Sequence, residues 1–197
     1  MPNIKISDNI NVQEYLDGEL MSEIKHELVS NQVYAMAGAS ANHERIAGNI
    51  YRKLGSHLEG TPCEPFSSDM KVRIRDNFYY PDVLVDCNFD EEEPYYTQSP
   101  TLIVEVLSQS TRKMDEQIKR MEYFNIPSLK EYVIIEQDFV DVAVYRKNKY
   151  WQHTNYFLGD QVTLNSIDLT LTVEEIYTRV QNDEMKAYRE HLLKTNE

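Results

Sequence analysis

Cysteine is scarce: Cys63 and Cys87 are the only two in 197 residues. Two cysteines cannot build a disulfide framework or a cysteine zinc site, so reduced thiols and a cytoplasmic address are expected. Long apolar runs are missing too. The longest, Leu102 to Leu107, is interrupted by Glu105 and falls far short of the roughly 20 residues that a membrane-crossing helix needs. The stretch Met1 to Ile10 has no basic segment followed by an apolar one, so no export signal is expected there. Positive charge is in deficit, with 20 Lys+Arg against 33 Asp+Glu and a formal net charge of −13. That excludes broad adhesion to nucleic acid or to an anionic membrane, while leaving room for a local basic groove. There is no internal repeat, no low-complexity tract and no linker rich in Gly, Ser or Pro. What remains is 41% hydrophobic and 27% charged, the composition of a folded chain. Its length suits a single domain over residues 1–197 with a core that needs no staples.

Patterning supplies the elements. A short helix is expected over Val12 to Leu20, then a hairpin over Lys25 to Met36 that turns at Ser30-Asn31. Ser40 is a candidate N-cap, with Glu44 in the first turn of a helix whose Ile46, Ile50, Leu54 and Leu58 form one apolar stripe. Gly60 and Pro62 stop it. Met70, Val72 and Ile74 alternate with Lys71, Arg73 and Arg75, which predicts a strand with one apolar and one basic face. Tyr80 to Cys87 is a second strand, and Asp90 to Pro94 an acidic, solvated loop. Thr101 to Ser108 is apolar enough to be buried on both faces. Thr111 to Phe124 reads as a helix buried through Met114, Ile118 and Met121. Glu131 to Glu136, Val140 to Arg146 and Tyr150 to Phe157 read as further strands. A capping box at Thr172 to Glu175 opens a last helix, and from about residue 183 the charged end is expected to fray. The order describes an α/β or α+β fold, a mixed sheet flanked by helices.

Three residues stand out chemically. Glu105 sits among neighbours that all favour burial, where an ionised carboxylate is expensive unless paired or bound to a cation. The alternative is an edge strand with Glu105 facing water. Asp82 follows Pro81 at the head of the Val-Leu-Val strand. Alone it reads as a strand-start aspartate, but adjacent antiparallel strands can bring it and Glu105 to one cation. Two hard oxygen donors suit Mg²⁺ or Mn²⁺. The five histidines, at positions 26, 43, 57, 153 and 191, lack zinc-site spacing. Lys119 is either a surface i, i+4 partner of Asp115 or an ammonium reaching over the sheet towards the carboxylates.

Several stretches, taken in order, resemble a known family. They are Tyr34-Ala-Met-Ala-Gly-Ala-Ser with His43 after it, Asp69-Met-Lys-Val-Arg, Tyr80-Pro-Asp-Val and Leu102-Ile-Val-Glu-Val-Leu-Ser-Gln-Ser-Thr. Asp115, Lys119 and Ile126-Pro-Ser-Leu-Lys-Glu-Tyr follow. From about Glu14 to about Trp151 the chain resembles the Uma-two family, a restriction-endonuclease branch of the PD-(D/E)xK nuclease superfamily. The resemblance implies a restriction-endonuclease-like core and a divalent metal held by an aspartate and a glutamate, which fall on Asp82 and Glu105. The superfamily lysine should stand two positions after the glutamate, where this chain has Leu107. The resemblance places it instead on the following helix, at Lys119. Glu27 matches a family acid without the usual turn after it, and reads as an accessory acid or as a hairpin partner. His43 matches a family position early in a helix, where it either touches substrate or caps local hydrogen bonds.

These readings converge on an expected activity, Mg²⁺-dependent hydrolysis of DNA phosphodiesters. Asp82, Glu105 and the Val106 carbonyl would bind the ion, with Lys119 placing water or offsetting negative charge. Lys71, Arg73 and Arg75 are expected either to contact flanking phosphates or to form a solvated strand face. Tyr79-Tyr80 and Tyr95-Tyr96 suit either base stacking or packing. An open sheet edge among the late strands would suit a homodimer. The competing readings are a non-catalytic interaction module that keeps the fold, which the net charge of −13 favours, and a hydrolase of another phosphate ester.

Overall fold

The computed structural model describes the backbone of residues 4–108 and 118–195, and side chains from residue 9 onward within those ranges. In chain order the elements are β1 (Ile4–Asp8), α1 (Val12–Met21), β2 (His26–Val29), β3 (Gln32–Ala35), α2 (Ala41–Leu58), β4 (Glu64–Ser67) and β5 (Lys71–Ile74). Then come β6 (Asn77–Tyr79), β7 (Val83–Asp86), β8 (Tyr96–Thr97), β9 (Pro100–Leu107), α3 (Arg120–Tyr123), β10 (Glu131–Glu136) and β11 (Val142–Arg146). The last are β12 (Gln152–Tyr156), β13 (Gln161–Leu164), β14 (Leu169–Thr172), α4 (Val173–Ile176) and α5 (Asp183–Thr195).

Local chemistry explains several boundaries. The β2–β3 hairpin turns through Ser30 and Asn31 at φ 51° and 63°, the left-handed pair that matches strand twist. Ser40 caps α2, its hydroxyl accepting the His43 N–H at 3.2 Å. The predicted stripe Ile46, Ile50, Leu54 and Leu58 is the buried face of that helix. Gly60, at φ 76°, supplies the left-handed turn just past its end. The Thr172–Glu175 capping box forms as expected.

Two six-stranded sheets and a small hairpin make the β structure. The central sheet runs β12-β11-β10-β9-β7-β4, with β9 and β10 parallel and its other neighbours antiparallel. The second runs β1-β3-β2-β6-β5-β8. Strand β9 is buried along its whole length, and its alternation divides the interior. Leu102, Val104 and Val106 join the α2 stripe together with Ile176, Tyr177, Val180 and Met185. Ile103 and Leu107 pack on the other face with Tyr79, Tyr123, Tyr132 and Ile134. Period-two alternation puts Glu105 on this second face. The architecture is mixed α+β, with mixed sheets flanked by helices.

The structure corrects four expectations. Cys63 and Cys87 are joined as a disulfide, not kept as thiols. They flank the registered pair Glu64↔Asp86 of β4 and β7, so the antiparallel register sets them face to face. In the expected helix over Thr111 to Phe124, Met114 and Asp115 lie outside the described residues. The described part turns its predicted stripe outward, with Ile118 and Met121 41% and 67% exposed. Lys119 and Tyr123, one turn apart, are buried instead, because polar partners await them inside. The basic strand face is only partly solvated: Lys71 is 5% exposed and half-buried Arg73 lies over the Phe78 and Tyr96 rings at 5.5 Å from each, while Arg75, just past β5, is exposed. Strand β5 runs between β6 and β8, and their aromatic side chains cover it. Lastly, the charged end is helix α5 through Thr195, and its Met185 belongs to the core. Beyond the strands that patterning predicts, β1, β6 and β8 join the second sheet, β4 edges the central one, and β13 and β14 form the separate hairpin. Among the described residues no helix is long and apolar enough to cross a membrane.

Candidate active site

The site grows from the place where β7 stops and β9 continues. Their antiparallel register pairs Val83 with Val104 and Leu84 with Ile103. One step further, the same register sets Asp82 opposite Glu105, on the face shared by Leu84 and Ile103. Ladder pairing ends there, since Pro81 has no N–H to offer. The Val106 N–H turns to Asp82 instead, donating to Oδ2 at 2.7 Å. In an extended strand a residue's carbonyl points to the same side as its N–H. The Val106 carbonyl therefore faces the same gap.

Each carboxylate is held from a second direction. His43, in the first turn of α2, places Nε2 3.2 Å from Asp82 Oδ2. The start of α2 is tied to the carboxyl end of β10 by a hydrogen bond from the Ser40 hydroxyl to Gln137 Oε1. Glu105 is 3% exposed. Its Oε1 accepts the Tyr123 hydroxyl at 3.1 Å and lies 3.6 Å from Lys119 Nζ. Lys119 Nζ is closer to Glu27, at 2.8 Å from Oε1. That oxygen also accepts the Tyr80 N–H at 3.1 Å. Lys119 is thus a buried bridge between two buried carboxylates, not a surface partner. Asp115, its expected surface mate, lies outside the described residues.

Asp82, Glu105, Val106, Lys119 and His43 line a single cavity of about 500 Å³. Glu27 joins them through Lys119. Lys71, Arg73 and Arg75 do not line it. Lys71 Nζ packs 5.1 Å from the centre of the Tyr80 ring. Burial depresses the Lys71 pKa, against the opposing pull of Glu19 and Asp69. Burial, then the Glu105 charge, raises the Tyr123 pKa far above the ordinary phenol value, so this hydroxyl remains a donor to Glu105. Burial does the same for Tyr80, followed by the Glu19 carboxylate.

The donor set fits a hard divalent cation. Asp82, Glu105 and Glu44 line the cavity with the ammonium groups of Lys25 and Lys119, and Glu27 lies behind Lys119, so carboxylates outnumber ammonium groups. The described contacts of Asp82 both use Oδ2, and Asp82 lines the cavity. Among the described residues no group of three or more His, Cys, Asp or Glu side chains could hold a metal. Two carboxylates and a carbonyl would therefore be completed by water or substrate oxygens, as Mg²⁺ and Mn²⁺ sites commonly are. Sequence reasoning missed Tyr123, the Tyr80 N–H bond to Glu27 and the Ser40–Gln137 tie. For Tyr123 a signal was present: it stands four residues after Lys119, on the same helical face.

Comparison with known proteins shows what the chain is similar to. The profile of Uma2, described as "Putative restriction endonuclease", matches residues 12–174. The uncharacterised Synechocystis sp. protein slr1290 is 36% identical over 170 residues, covering 84% of this chain and 90% of the relative. The uncharacterised sll1609 from the same organism is 37% identical over 143 residues, covering 68% of this chain and 78% of its own length. A crystal structure of a putative nuclease from Anabaena variabilis superposes with a TM-score of 0.72 at 18% identity, over 87% of this chain and 99% of that one. At that identity the likeness shows a shared fold.

Proposed function

The chain belongs to the Uma2 putative restriction endonuclease family, and from that membership we propose that it is a metal-dependent endonuclease that hydrolyses DNA phosphodiester bonds. The observation that carries the reading is the placement of Asp82 across from Glu105 by the β7–β9 register, in a cavity they share with Lys119. Asp82, Glu105 and the Val106 carbonyl hold Mg²⁺ or Mn²⁺. Bound there, the ion supplies Lewis-acid polarisation of the phosphate and a lowered pKa for water.

The remaining work falls to this chain's own side chains. His43 and the Val106 N–H fix the direction of the Asp82 carboxylate. Glu27 anchors the Lys119 ammonium beside Glu105, where it offsets negative charge growing on a phosphate in the cavity. Burial of Glu105 and Lys119 keeps bulk water from screening that interaction.

The test is cleavage of plasmid and oligonucleotide DNA with Mg²⁺ or Mn²⁺, using Asp82→Ala and Glu105→Gln as variants. Both should lose about 10³-fold in rate while keeping their circular dichroism, since a ligand carboxylate contributes several kcal/mol in the transition state. Wild-type rates in either variant would remove that residue from the site. The inward commitment of Lys71 and Arg73 favours a second reading, a module that keeps the fold without cutting. Calorimetric titration with Mn²⁺ separates the two, because that reading requires no ion site abolished by Asp82→Ala.

A further inference from the structure

Lys119 and Tyr123 stand one helical turn apart on the same face and converge on one atom. Tyr123 is fully buried among Tyr79 and Tyr132, its ring edge-on to Tyr79 at 5.7 Å and tilted against Tyr132 at 5.5 Å. Ring packing alone would be served as well by phenylalanine. The hydroxyl instead reaches Glu105 Oε1 at 3.1 Å, the oxygen that also lies 3.6 Å from Lys119 Nζ. The Tyr123 hydrogen bond, with the Lys119 charge beside the same oxygen, restrains the carboxylate about its last torsion, which is otherwise broad. Its other oxygen then keeps a fixed direction. The arrangement parallels Asp82, where the Val106 N–H and His43 Nε2 share Oδ2.

We propose that Tyr123 is a positioning residue whose hydroxyl presets Glu105 for the divalent cation, beyond its part in the core. This rests on reading Glu105 as an ion ligand. Partners that orient a metal ligand typically contribute 10- to 100-fold in metal affinity. A neighbouring tyrosine provides an internal control. Tyr79 is equally buried and in the same cluster, but its hydroxyl donates to Glu122 at 3.0 Å, outside the set of proposed ligands.

The experiment is Mn²⁺ titration calorimetry on wild type, Tyr123→Phe, Tyr79→Phe and Glu105→Gln, without DNA, each variant first matched for melting cooperativity. The expected result is affinity lowered at least about 10-fold in Tyr123→Phe, unchanged in Tyr79→Phe and abolished in Glu105→Gln. Wild-type affinity in Tyr123→Phe, with Glu105→Gln still abolished, overturns the positioning role alone. Equal weakening in both tyrosine variants also overturns it, by showing that general loosening of the cluster is responsible. Wild-type affinity in Glu105→Gln overturns the reading of Glu105 as a ligand, and the proposal with it.

Discussion

Replacing Lys119 by methionine removes the ammonium that lies 2.8 Å from Glu27 and 3.6 Å from Glu105 and keeps most of the side-chain volume. Glu27 is fully buried and Glu105 is 3% exposed, so neither can turn to solvent for compensation. Breaking a buried ion pair from one side destabilises by about 3–5 kcal/mol, because a charge is left without its partner. The Tyr80 N–H and the Tyr123 hydroxyl remain as donors, which places Lys119→Met near the lower end of that range. For a chain of this length each kcal/mol moves the melting temperature by about 2–4 °C. Differential scanning calorimetry should therefore show a fall of about 6–12 °C. The companion variant Glu27→Gln/Lys119→Met removes the stranded charge as well and should recover more than half of that loss. A melting temperature for Lys119→Met within about 2 °C of wild type would refute the buried bridge. So would a double variant no more stable than the single one, since Glu27 would then not be the partner.

Two further outcomes follow from burial and covalent linkage. Tyr15, Tyr79, Tyr80, Tyr123 and Tyr177 all have pKa values raised above 10.0, chiefly by burial. The folded state therefore holds protons that the unfolded chain releases, and stability should fall as pH rises past about 10. Absorbance at 295 nm should show these five of the 14 tyrosines ionising only as the protein unfolds; early ionisation of all of them would contradict their burial. The Cys63–Cys87 disulfide spans 24 residues of sequence, and reduction should destabilise by about 3 kcal/mol. Thiol titration of the denatured, unreduced protein should find no free cysteine, and two reactive thiols would disprove the bridge.

Much of this was legible in the residue order. The α2 stripe, the Ser30-Asn31 turn, the N-cap at Ser40 and the buried β9 run depend on spacing of four, on spacing of two, or on a single side chain beside its own backbone. Such patterns act within a few residues and need no distant partner. The same locality marked Glu105 as a charge among aliphatic neighbours. The orientation of α3 was misread for the complementary reason: hydrophobic spacing favoured Ile118 and Met121, while the polar partners of Lys119 and Tyr123 lie far away in sequence.

The sequence by itself determined α2 with its cap and apolar stripe, the β2–β3 turn, the burial of β9 and the anomaly of its one acid, because alternation and capping are written locally. Tertiary structure alone decided that Asp82 stands across from Glu105 and that Lys119 pairs with Glu27. It also decided that Lys71 and Arg73 turn inward and that Cys63 faces Cys87. Each of these follows from which strand lies beside which, and strand order is a property of the assembled sheets that no short stretch of the chain encodes.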